Sequence, residues 1–115
     1  MSKEATIHIA VNTDENKVPE RIVWSASDAN ISDRRAKAMI LAMWDEQDRN
    51  TLRMDLWDKE MDVEEMKFFV HQTMLTLADS FEKATGEDRM ALSMRDFCEY
   101  FAEKMDLRPG KLGAM

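Results

Sequence analysis

Side chains able to do chemistry are few in this chain, and their densest group is the acidic run Asp58-Lys59-Glu60-Met61-Asp62, followed by Glu64 and Glu65. Carboxylates at that density suggest a hard cation, which is held by oxygen ligands. An EF-hand loop places Gly at its sixth position and Glu at its twelfth; counted from Asp58, these fall on Val63 and Phe69. The calcium reading fails. Asp62-Val63-Glu64-Glu65 has instead the form of a capping box, in which Asp62 accepts from the backbone N–H of Glu65 and Glu65 accepts from that of Asp62. Negative charge at a helix N-terminus also suits the helix dipole, so the run marks a helix start.

His8 and His71 are the only two histidines, and neither has a carboxylate or cysteine at a metal-site spacing. His71 stands one position off an apolar stripe, four residues after Lys67. Cys98, the single cysteine, falls inside a second apolar stripe, where a small thiol is inert. It has no partner for an internal disulfide, which fits a reducing compartment. There is no Gly-rich phosphate loop, no G-x-S-x-G and no H-E-x-x-H. The expectation is a protein without enzymatic activity, metal or cofactor. The 11 methionines supply adaptable core packing or, alternatively, a re-packable binding groove.

These residues need a scaffold, and its centre is the stretch Met61 to Gly86. Met66, Phe69, Val70, Thr73, Met74, Leu77 and Phe81 recur at three- and four-residue steps, one stripe of a helix. Met61 and Met66 stand where a hydrophobic staple would. Gly86 offers a left-handed residue just beyond the end, near Ala84 or Thr85. Residues 5–12 alternate, with Ile7, Ile9 and Val11 on one face, and Asp14-Glu15-Asn16-Lys17 turns the chain into a second strand, Arg21 to Ala26. Ile22, Trp24 and Ala26 face the core there. Ser32 reads as the N-cap of a helix through about Asp48, with Ala36, Met39, Ile40, Met43, Trp44 and Gln47 along one side. Thr51 to Trp57 alternates again, placing Leu52, Met54 and Leu56 inward. Glu87 to Met105 is a further helix, antiparallel to the first across Gly86. The fold expected is α+β: a small antiparallel sheet, in the order β-β-α-β-α-α, covered on one face by helices. Residues 1–106 form a single domain and residues 107–115 a flexible tail.

Composition bounds the partners. The chain has 115 residues, 44% hydrophobic and 34% charged, with three Gly and two Pro, as in one globular domain. No apolar run is long enough to span a bilayer and the N-terminus has no signal-peptide pattern. No direct membrane insertion is expected, and the location expected is cytoplasmic. Net charge is −7, and residues 50–107 hold 14 of the 23 acidic side chains against 7 of the 16 basic ones. Without a basic cluster, nucleic acid is a poor partner. The acidity serves a solvated helix face or, alternatively, a basic protein partner.

Trp57 shares a strand face with Arg53 and Asp55, opposite the core. It is either an interface anchor or, as the last residue of its strand, folds over the core's edge. Thr6, His8, Arg21 and Val23 would lie on the same open face, which makes it the expected partner surface. Two copies pairing through that bare face would form a homodimer.

Several pieces then converge on one family. Trp44-Asp45 precedes Asn50-Thr51-Leu52-Arg53-Met54-Asp55-Leu56-Trp57; His71-Gln72-Thr73, Ala78-Asp79-Ser80-Phe81-Glu82 and Ala84-Thr85-Gly86-Glu87-Asp88 follow. Val18-Pro19-Glu20 before Trp24, and Met94-Arg95-Asp96-Phe97-Cys98 before Tyr100-Phe101-Ala102-Glu103-Lys104, extend the match over most of residues 5–106. In order and length this resembles the gliding-motility GldC family of Bacteroidetes. The resemblance implies a small soluble accessory protein of the surface-gliding machinery, which is tied to a dedicated secretion system, and it brings no catalytic motif. The function expected is an adaptor binding another protein of that apparatus; the alternative is a chaperone-like or small-ligand-binding domain with a Met- and Phe-lined groove.

Overall fold

The computed structural model describes residues 3–112 and divides into two compact units, Met1–Met61 and Asp62–Met115. The architecture is α+β, with two antiparallel sheets in the first unit and two helices in the second. The first sheet holds β1 (Ile7–Thr13), β2 (Pro19–Ala26) and β3 (Ile31–Ala36) in that order, and the second holds β4 (Ala38–Asp45) and β5 (Asn50–Trp57).

The β1–β2 hairpin is the one its alternation predicts. Ile7 opposes Ala26, Ile9 opposes Trp24 and Val11 opposes Ile22, so these six apolar residues share one face. The turn is built by Asp14. Its Oδ1 accepts from the backbone N–H of Asn16 and Val18 at 2.8 and 3.0 Å, and Lys17 takes the left-handed φ of 64° that closes it.

The helix expected over residues 32–48 is not there. Its place is taken by β3 and β4, separated by a bend at Lys37, so the order is β-β-β-β-β-α-α and the single sheet becomes two. Ala38 to Trp44 is a run of apolar residues whose Met, Ala and Leu favour helix locally. A short apolar run bounded by turn formers fits a strand equally well, and periodicity does not separate the two. Cross-strand pairing decides, because every residue of β4 opposes one of β5, from Ala38 with Trp57 to Asp45 with Asn50. Ser32, expected to cap a helix, lies inside β3 instead. Its neighbour Asp33 sits at a left-handed φ of 50° and donates its backbone N–H to Ser25 Oγ at 3.0 Å, where the β2–β3 register slips.

The second unit follows its sequence closely. Helix α1 (Val63–Thr85) begins with both halves of the capping box: the Glu65 N–H donates to Asp62 Oδ1 at 2.7 Å and the Asp62 N–H to Glu65 Oε1 at 3.2 Å. It ends at Gly86, whose φ is 72° and whose N–H reaches the Glu82 carbonyl at 2.8 Å. Helix α2 (Asp88–Lys104) then runs unbroken. Its contacts step back along α1: Nη2 of Arg95 lies 2.8 Å from both Asp79 and Glu82, and the Phe101 ring stacks on His71 at 6.2 Å. The helices are therefore antiparallel. Ala78, Ala91 and Cys98 are buried; the small side chains allow close approach of the backbones. In the expected tail, Lys111 Nζ lies 3.0 Å from the Asp106 carbonyl and 3.3 Å from Glu64 Oε2. Residues 113–115, including Gly113, lie outside the described residues.

Candidate functional site

The β4–β5 hairpin carries the residues singled out for partner binding. Asp45 shapes its turn, with Oδ2 accepting from the Asp48 N–H at 2.7 Å and its carbonyl from the Arg49 N–H at 3.0 Å. Arg49 takes a left-handed φ of 52°. From that turn the register runs unbroken, and because opposed residues share a face it sorts every side chain. One face is wholly apolar over three pairs: Met43 with Leu52, Leu41 with Met54 and Met39 with Leu56. The other bears Trp44 with Thr51, Ala42 with Arg53, Ile40 with Asp55 and Ala38 with Trp57.

Neither face is closed. Every residue of β5 is exposed except Leu56, which is half-buried. Trp44 is 68% and Trp57 53% exposed, so Trp57 is not folded under the edge of the core. Leu52 and Met54, expected in the core, are likewise more than half exposed. The residues that do close are Ile22, Ala26 and Asp58.

The expected partner residues fall into two groups. Arg53, Asp55 and Trp57 share one face of β5. His8, Arg21 and Val23 share one face of the three-stranded sheet, opposite Ser25, Asn12 and Ala10 respectively. The trios thus belong to different sheets.

A shallow cleft of about 290 Å³ opens beside Trp57, lined by Lys17, Val18, Pro19, Asp55, Leu56 and Trp57. Two turns position it. Lys59, just after β5, sets its Nζ 2.6 Å from Asp14 Oδ2 and 3.3 Å from Glu20 Oε1, pinning the end of β5 to the β1–β2 turn. The hydrogen bond from Lys59 holds the Asp14 carboxyl below its ordinary value of 3.8. Reciprocally, Asp14 and then Glu20 raise Lys59 above 10.5. Asp58 organises the same corner from inside: its Oδ1 accepts from the N–H groups of Glu60 and Met61 at 3.0 and 3.1 Å.

Among the described residues no three metal-ligating side chains converge, and no helix is long and apolar enough to cross a membrane. His71 is occupied with Phe101, and Cys98 is 2% exposed. What the site presents is surface: two tryptophans, two opposite charges and an apolar row. The sequence reading missed Trp44, Met43 and Ile40 because it placed them on a helix stripe. The available signal was the unbroken apolar run from Ala38 to Trp44, bounded by Lys37 and Asp45.

Comparison with curated proteins and with solved structures gives no match. The family model for gliding motility-associated GldC-like proteins matches residues 19–107, a span that runs from β2 through both sheets and both helices. The chain belongs to the GldC-like family of gliding motility-associated proteins.

Proposed function

We propose that the chain is a non-enzymatic, cytoplasmic adaptor that binds another protein of the gliding or secretion apparatus. Its docking surface is the face of the β4–β5 hairpin that carries Trp44, Arg53, Asp55 and Trp57, with His8, Arg21 and Val23 as a second patch. The observation that carries this reading is Trp57, a large aromatic more than half exposed at the rim of a cleft, on the strand face that also carries Asp55 and Arg53. Tryptophan and arginine are the residues over-represented among binding hot spots. Family membership supports the setting in which the adaptor works.

The test is capture from the native cell with tagged wild-type chain and tagged Trp57→Ala. The wild type should recover a component of the gliding or secretion apparatus. The variant should bind it more weakly by about 2 kcal/mol or more, as hot-spot truncations do, while its thermal midpoint stays nearly unchanged. Equal recovery by both chains would remove Trp57 from the docking surface.

A further inference from the structure

We infer that β5 is the seam of a twofold dimer, its free edge pairing antiparallel with the same edge of a second copy, centred on Met54. The sheet order β4–β5 leaves the outer edge of β5 without a strand among the described residues. Unpaired edges are templates for another strand. The question is what occupies this one, and the charges of β5 answer it.

Arg53 and Asp55 lie on one face of β5 two residues apart, and among the described residues neither has an ionic partner. Their cross-strand neighbours are Ala42 and Ile40, and each is exposed. Around them the strand reads Leu52-Arg53-Met54-Asp55-Leu56, which is self-complementary under a twofold axis. In an antiparallel pair centred on Met54, Arg53 opposes Asp55 of the second copy and Asp55 opposes its Arg53. On the other face Met54 meets Met54, and Leu52 meets Leu56. A symmetric interface requires this kind of self-complementarity.

The register is selective. A shift by one residue would bring the apolar face of one copy level with the charged face of the other. Recentring on Arg53 or on Asp55 would set two like charges directly opposite, which is destabilising. Charged side chains often guard an edge strand against pairing. This pair guards poorly against its own copy, since the twofold matches each charge with its opposite.

In the dimer, two two-stranded sheets become one of four strands, and the apolar row of one copy continues into that of the other. Trp44 lies on β4, outside the paired edge.

Sedimentation velocity of the purified chain alone tests this, independently of any partner. The wild type should run as a dimer at the higher concentrations; a monomer throughout overturns the inference. Arg53→Asp and Asp55→Arg should each weaken dimerisation by about tenfold or more, equivalent to about 1.4 kcal/mol, with thermal midpoints unchanged at dilutions where every chain is monomeric. Mixed in equal amounts, the two variants should recover the dimer, because every opposed pair is then of opposite charge. The double variant carrying both changes should recover it too. Single variants as dimeric as the wild type, or a mixture that stays monomeric, overturn this register. As a second readout, Met54→Cys should cross-link to its copy under mild oxidation, since opposed Cα atoms lie within disulfide range; Cys98 is buried and does not interfere.

Discussion

Asp58 and Arg35 form a half-made pair: Oδ2 of the buried carboxylate lies 3.6 Å from Arg35 Nη2 and accepts no hydrogen bond among the described residues. Oδ1 carries the structural load, accepting from two backbone N–H groups of the 58–61 turn. Asp58→Ala leaves the Glu60 N–H without its acceptor and the Met61 N–H with only the Asp58 carbonyl at 3.3 Å, a loss of roughly 1–3 kcal/mol. Asp58→Asn keeps an acceptor oxygen in the same place and loses less. Urea unfolding of the two variants, compared at equal slope, measures the difference.

The Lys59–Asp14 bond gives stability a pH dependence. Asp14 has a folded value below its ordinary 3.8, so its contribution is present above that value and is lost as pH falls through the lowered one. Lys59 is raised above 10.5; its contribution is present below 10.5 and is lost as pH rises through the raised value. Both groups are charged at neutral pH. In Lys59→Ala the Asp14 value returns toward 3.8, so stability should fall less steeply than in the wild type between neutral pH and about pH 3. Denaturant midpoints across that window check the slope.

Gly86 closes α1 in a left-handed conformation, and a Cβ placed on it would meet nothing within 4 Å. The cost of Gly86→Ala is therefore confined to the backbone, roughly 1–2 kcal/mol. Gly86→Asn should cost less, because asparagine tolerates that conformation through local hydrogen bonding. Thermal midpoints of the two variants should rank in that order.

Where local chemistry decides a structure, the residues were readable in advance. Asp62, Glu65 and Gly86 fixed both ends of α1, and the alternation of Ile7, Ile9 and Val11 fixed the faces of β1. The stretch Ile31–Asp45 was not readable, because its outcome depends on pairing with the strands on either side of it, β2 with β3 and β5 with β4. Local propensity favoured helix and cross-strand pairing overrode it. The face bearing Arg53, Asp55 and Trp57 survived that error, since alternation within one strand needs no knowledge of its neighbour. The division of the candidate residues between two sheets did not follow from alternation, which says which face a residue takes and nothing of which sheet the strand joins.

A related limit yields the last prediction. Ile7 and Ile22 lie on the same apolar face of the three-stranded sheet, and by pattern they are equivalent core residues. The structure separates them: Ile22 is 1% exposed and Ile7 is 70% exposed. Ile22→Ala removes a buried side chain and leaves a cavity, a cost of about 2–5 kcal/mol. Ile7→Ala removes methylene groups already in contact with water, with an effect within about ±0.5 kcal/mol. Urea unfolding of both variants separates the two outcomes. Equal losses would mean that Ile7 is covered in solution.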